Sequence, residues 1–413
     1  MPRYPRNTPQ ALHKFTTSTL VAAILLTFLP NPSKAQTSNA SLIQNFQNPP
    51  AESKPMMRWW WFGPAVTKPE LKKELETMHA AGIGGVEIQP VYALMLDDPS
   101  QGIKNLPYLS PDFLDAVSYA NQTAQSLGMR VDITLGSGWP YGGPHTTLAL
   151  SAGRLKVVAE PITSSTIKLP QLADGESLIA SFQVKGTPKS YDPTTAKPLP
   201  KTIPATPTND QTALFFIASH THQKVKRPSV GAEGLVLDHF SRAAIDEHLT
   251  DVAAPLLKAF GNQPPYSVFS DSLEVYGSDW TLNLPAEFQK RRGYDLIPHL
   301  PELAAGGTPQ AEAVRHDWGQ TLSELVAENY LTPINQFALN HHSKFRSQTY
   351  GLPAVTLADE SIPTLPEGEG PQWTQFSFTR WASSASHLYN RNVTSAETFT
   401  WLHSPAFRAT PLD

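Results

Sequence analysis

The chain has 413 residues, of which 40% are hydrophobic and 16% charged, with a formal net charge of -4. That length suits two or three domains, and the slightly acidic balance offers no basic field to neutralise nucleic-acid phosphates. Cysteine is absent, which excludes disulfides, thiolate nucleophiles and Cys-ligated zinc together.

At the N-terminus, Arg3, Arg6 and Lys14 precede an apolar run from Leu20 to Leu29, and Ser33-Lys34-Ala35 supplies the small residues of a cleavage site. The run is shorter than the roughly 20 residues a spanning helix needs. Residues 1–35 therefore read as an export signal, implying a secreted or periplasmic protein with no membrane span after cleavage. Residues 36–55, rich in Ser, Asn, Gln and Pro, read as a flexible leader.

A strand–helix rhythm follows. Met56–Phe62 is a bulky apolar strand. Thr67 is placed to cap a helix carrying Leu71, Leu75 and Met78, which ends at Gly82. Gly85-Val86-Glu87-Ile88 is a second strand, and Ser110 opens a helix that closes at Gly128. Val131–Leu135 is a third strand. Between about 148 and 235 the rhythm breaks into Thr, Pro and Lys-rich turns around Leu178–Val184 and Ala213–Ser219, which reads as an inserted β-rich lobe. Helix and strand alternate again afterwards: a helix over Ala243–Phe260, a strand at Tyr266–Phe269, a long helical region over Ala311–Tyr350, and strands at Leu352–Leu357 and Val393–Ala396.

Strands alternating with helices argue for a parallel sheet. The expected fold is α/β: a (β/α)8-type TIM barrel, incomplete at about six strands. Residues 56–147 form its first part, 148–235 the lobe, and 236–413 a continuation that is cut short. An open doubly wound sheet is the alternative. The barrel is favoured because Glu87, Trp139, Glu274, Asp359 and Glu397 fall just past strand ends, where a barrel builds its active site.

Two acidic sites stand out. Ser267–Gly277 runs from an apolar strand into a loop with Asp271 and Glu274, and Val393–Trp401 does the same with Glu397. Glycoside hydrolysis needs one carboxylic acid to protonate the leaving oxygen and one carboxylate to attack or to activate water. Trp139, in a Gly-Ser-Gly-Trp turn, and Trp59, in the Arg58-Trp59-Trp60-Trp61 run, are candidates for stacking on a sugar ring. At least one tryptophan of that run must instead be core. Pro366-Glu367-Gly368-Glu369 lies in a turn-rich loop whose acids could offer oxygen ligands to a hard cation.

Taken together, these segments resemble glycoside hydrolase family 106. The resemblance is carried by Met57–Gly63, Gly82–Ile88, Gly136-Ser137-Gly138-Trp139 with Gly142-Gly143-Pro144, Asp271–Gly277 with Phe288–Asp295, Pro366–Glu369, and Ser395-Ala396-Glu397. It implies an inverting α-L-rhamnosidase that uses Ca²⁺ near the sugar and removes terminal rhamnose from plant-type glycans or glycosides. Glu274 would be its general acid and Glu397 its general base. The Glu367/Glu369 loop would contact substrate or the metal; from their own positions Asp271, Glu87, Trp139 and Trp59 are expected to contact substrate as well. The partner is a carbohydrate. A retaining glycosidase and a non-catalytic carbohydrate-binding remnant are the alternatives left open, since family members continue for hundreds of residues beyond the Glu397 strand.

Overall fold

The computed structural model describes residues 39–50, 53–163, 167–199, 210–370 and 377–398, in two units divided after Pro49. The first unit holds a helix, α1 (Asn39–Gln47), inside the stretch expected to be a flexible leader, and the expected export signal lies outside the described residues. Among the described residues, no helix is long and apolar enough to cross a membrane.

The second unit begins with the expected alternation: β1 (Met56–Phe62), α2 (Lys68–Ala80), β2 (Gly85–Val91), α3 (Pro111–Ser126) and β3 (Arg130–Thr134). Thr67 occupies the N-cap of α2, but its side chain makes no capping bond, and a proline in the first turn starts the helix instead. Ser110 does cap α3, its hydroxyl accepting from the Phe113 amide at 3.3 Å. Gly82 ends α2 at a φ of +87°, a conformation that side-chain-bearing residues avoid.

Short β4 (Gly142–Gly143) then leads into β5 (Gly153–Pro161), β6 (Ser177–Thr187), β7 (Ser190–Pro198) and β8 (Gln211–His220). These four form an antiparallel sheet in the order β5-β8-β6-β7, and β9 (Leu235–Val236) returns to pair with β4. None of them enters the parallel sheet. The antiparallel sheet nevertheless shares the main core, through Phe182, Val184, Leu214 and Phe216. On its other face Phe215 and Ala213 close over Ile162.

The remainder is α4 (Arg242–His248), a π turn (Leu249–Ala253), α5 (Ala254–Ala259), β10 (Ser267–Ser270), β11 (Leu273–Glu274), α6 (Leu284–Arg292), α7 (Leu300–Ala305) and α8 (Pro309–Val326). A second π turn (Ala327–Leu331) leads to α9 (Thr332–Asn340), β12 (Lys344–Ser347), β13 (Gly351–Leu352), β14 (Leu365–Glu369), α10 (Phe378–Leu388) and β15 (Ser395–Glu397).

Seven strands form one parallel sheet in chain order, β1-β2-β3-β10-β12-β14-β15. This corrects the expectation of about six in two places. Lys344–Ser347, expected within a helix, is a strand; its alternation of buried Phe345 with Arg346 is too short to separate from a helix surface. Leu365–Glu369, expected as a loop, is also a strand despite Pro366 and Gly368, whereas the expected strand at 352–357 shrinks to the two residues of β13. Gly368 is there for clearance, since a Cβ at that position would lie 2.4 Å from the Phe378 carbonyl oxygen at the start of α10.

The sheet is strongly curled. At about 4.8 Å per strand, a flat sheet would hold β1 and β15 roughly 29 Å apart. Instead Arg58 of β1 donates to Glu397 of β15 at 2.7 Å. The convex face is apolar, with Trp59, Trp61, Val86, Ile88, Val131, Ile133, Val268 and Phe345 buried in one cluster with residues of the surrounding helices. The concave face carries Arg58, Glu87, Asp132, Arg346, Glu367 and Glu397, joined by ion pairs.

Candidate active site

Strand register builds the centre of the site. Arg58 lies beside Glu87, and Glu87 beside Asp132, so three charged side chains share one face of β1, β2 and β3. Burying charge is unfavourable unless it is paired, and the pairing here is dense. Arg346 of β12 donates from Nε to Asp132 at 3.0 Å and also pairs with Glu87 and Glu367. Burial, the largest influence on Arg346, opposes its charge, but Glu367, Glu87 and Asp132 hold it firmly cationic. Arg58 contacts Glu87 (3.0 Å), Glu397 (2.7 Å), Asp271 (3.6 Å) and Glu367 (3.8 Å).

Glu397 is held through one oxygen. Arg58 Nη1 and Gln348 Nε2 both donate to Oε2, at 2.7 and 2.6 Å, while Oε1 accepts from no described residue. Gln348, fully buried, also donates to Glu367 at 3.0 Å and accepts from the Tyr350 hydroxyl at 2.7 Å. That hydroxyl lies 3.2 Å from Glu369, and the Tyr350 ring stacks on Phe378 with centroids 4.0 Å apart. Burial raises the proton affinity of Glu369, and the charges of Glu397 and Glu274 raise it further. Glu369 therefore senses both Glu397 and Glu274.

Glu274, on β11 past the end of β10, has a different setting. The Lys226 ammonium pairs with it, the Tyr276 hydroxyl donates at 3.0 Å and the Ser272 hydroxyl at 3.3 Å. Burial works to raise its pKa, but these donors, Lys226 foremost, bring it below the ordinary value. Asp271 goes the other way. Burial pushes it up to about 7, against the pull of Arg58 and with help from Glu397.

The expected site residues divide accordingly. Glu274, Asp271, Glu369 and Glu397 come together. Trp139 is partly exposed, and its backbone exchanges hydrogen bonds with Lys226, the partner of Glu274. Trp59 does not reach the concave face: it is buried against helix α2, its indole N–H donating to Glu74 at 2.6 Å. Strand alternation puts Trp60 on the Arg58 side instead, with the guanidinium 5.7 Å from its ring. Glu87, 3% exposed and paired with two arginines, is closed to a sugar. Glu367 is likewise committed to Arg346, Gln348 and Ser395, so it has little capacity left for calcium. Glu369 and Glu397 are ladder partners that repel one another, the kind of pair a hard cation relieves. Among the described residues, however, no three acidic or histidine side chains are grouped to hold a metal. The sequence reading passed over Arg346, Gln348, Lys226 and Tyr350. A period-2 reading of Lys344–Tyr350 would have flagged Arg346 and Gln348 as sharing one face.

The profile of the glycoside hydrolase 106 family, described as alpha-L-rhamnosidase, matches residues 47–159 and 205–412. The chain belongs to this family. The described residues between the two matched segments include β6 and β7 of the antiparallel sheet. A curated protein of Formosa agariphila described as "Putative beta-glucuronidase" is 23% identical over 433 aligned positions, which cover 88% of this chain and 36% of that protein. The solved rhamnosidase from Novosphingobium sp. PP1Y has the same fold, with a TM-score of 0.65 at 17% identity, covering 86% of this chain and 53% of that one. The chain thus spans about half the length of the solved relative and about a third of the curated one.

Proposed function

We propose that this family-106 chain carries the acid–base centre of an inverting α-L-rhamnosidase acting on plant-type rhamnosides, with Glu397 as general base and Glu274 as general acid. The observation that supports it is the one-sided hold on Glu397. A carboxylate anchored through Oε2 offers Oε1, unoccupied by any described donor, to a water molecule. Inversion requires such a water on the face of the sugar opposite the leaving group. Glu274 can act as an acid only once it holds a proton, so the arriving glycosidic oxygen must displace Lys226 from it. Asp271 supports a second reading of the acid: with a pKa near 7 it already carries a proton over much of the neutral range.

Three further elements belong to the proposal. The curled sheet in chain order suits a barrel closed by an eighth strand. The basic and apolar N-terminal run suits export. Calcium would be held by Glu369 with oxygens from substrate or water, and would polarise the sugar hydroxyls it touched.

The test is hydrolysis of an aryl α-L-rhamnoside by the 413-residue protein, with the anomer released followed by NMR. β-L-rhamnose should appear first; α-L-rhamnose first would sink inversion. Loss of general acid–base catalysis is worth about 10²–10⁴-fold, so Glu397→Gln should fall in that range on every leaving group. Glu274→Gln should spare activated aryl groups. If Asp271→Asn shows that selectivity instead, Asp271 is the acid. Chelation should lower activity, with Ca²⁺ restoring it better than Mg²⁺.

A further inference from the structure

Glu397 lies on the weakest strand of the sheet. β15 is three residues long and, among the described residues, is bonded along one edge only, to β14. Three residues of ladder leave a strand end free to twist or fray, and a side chain at its last position inherits that motion. Two side chains from elsewhere counter it. Gln348 comes from beyond β12, and Arg58 from β1, the opposite edge of the sheet.

We infer that Arg58 is the positioning residue of this site: it ties the two edges of the sheet together and turns Glu397 so that Oε1 faces the water. The geometry is specific. The Arg58 Nε lies 3.0 Å from Glu87, the neighbouring strand's carboxylate, as an ion pair rather than an aligned hydrogen bond. The Nη1 of Arg58 is left for Glu397 at 2.7 Å, with Asp271 at 3.6 Å. Trp60 and Phe269 flank the guanidinium at 5.7 and 4.9 Å from their ring centroids, and its side chain is only 13% exposed. A lysine would carry the charge but not the fork, since one ammonium cannot face both carboxylates in a fixed plane.

The inference rests on the assignment of Glu397 as base for its catalytic part, but not for the tether itself, and two arms separate them. The first is a double-mutant cycle in thermal unfolding with Arg58→Met and Glu397→Gln, which needs no activity. A tether predicts that the double variant loses clearly less stability than the two single losses added together; strictly additive losses overturn it. The second arm is kinetic, on an aryl α-L-rhamnoside. Misplacing a reacting group by about 1 Å costs roughly 100-fold, so Arg58→Met should lower kcat on that order with KM little changed. Arg58→Lys should recover part of that loss. A stability loss with an unchanged kcat would make Arg58 merely structural and overturn the positioning role. If Glu397→Gln keeps full activity while the cycle still shows coupling, the base assignment fails and the tether stands. Arg58→Lys serves both arms if the methionine variant does not fold.

Discussion

The curled parallel sheet and the antiparallel sheet β5–β8 are both well buried, yet they are stabilised by opposite chemistry. The antiparallel sheet packs Phe182, Val184, Leu214 and Phe216 into the core, and its stability scales with apolar area removed from water. The concave face of the parallel sheet buries Arg58, Arg346 and their carboxylates, an arrangement that a set of well-packed apolar residues could equal or better for stability. The difference teaches where to look for chemistry. The apolar antiparallel sheet contributes no side chain to the charged centre, and the region held by paired charges is the one that converges on Glu397.

Removing the hub should have the largest effect. Arg346→Ala leaves Asp132 buried without its arginine and Glu87 and Glu367 with Arg58 alone, and should cost roughly 3–5 kcal/mol in urea unfolding at neutral pH. Burial acts to raise the pKa of Glu367, but Arg346 and Arg58 hold it below the ordinary value. Its contribution is therefore present above the unfolded pKa and is lost as pH falls through the folded one, so the penalty of Arg346→Ala should shrink in acid.

Phe216→Ala should cost about as much, roughly 3–5 kcal/mol by cavity formation, but with no pH dependence between pH 5 and 8. A penalty that varied strongly with pH would break the contrast between the two sheets.

Glu360 sharpens it as a smaller exception. It is fully buried beside the parallel sheet, neither carboxylate oxygen has a partner among the described residues, and burial pushes its pKa up to about 9, with the charges of Asp359 and Glu367 adding to the shift. The folded chain keeps this proton long after the unfolded chain has released it, so stability falls as pH rises from the ordinary carboxylate range towards 9. Glu360→Gln should flatten that slope and raise Tm at pH 8 by a few degrees relative to pH 5. An unchanged slope would mean that Glu360 finds a partner in solution.

The smallest effect expected is that of Lys226→Met. With its ammonium gone, Glu274 should hold its proton to higher pH, moving the alkaline limb of the pH–rate profile up by about one unit or less. No movement would detach Glu274 from the acid role.

Much of the outline was legible because local signals agreed with the fold. Ser110 and Gly82 mark helix ends, and the alternation in Leu178–Val184 and Ala213–Ser219 falls inside β6 and β8. Glu274, Asp271 and Glu397 could be singled out because each follows an apolar strand directly. What stayed hidden depended on partners far away in the chain. Lys344–Ser347 looks like helix surface until Asp132 and Glu87, more than 200 residues earlier, are seen to claim Arg346. Pro366 and Gly368 read as a turn because their reasons, pairing to β12 and clearance for α10, are tertiary. Trp59 was chosen over Trp60 because the faces of β1 cannot be told apart without knowing that the inside of the sheet is the charged side.

Gln348 also limits how protons can move. Its amide nitrogen has two hydrogens, one for Glu367 and one for Glu397, and its oxygen takes the Tyr350 hydroxyl, so both donors are used and turning the amide over would break all three bonds. An amide in that position conducts nothing: unlike a water, a histidine or a third carboxylate, it cannot accept a proton on one side and release it on the other. Glu367 and Glu397 are thereby insulated from one another although they share a donor. Whatever proton Glu397 gains at Oε1 must leave by the open side it came from.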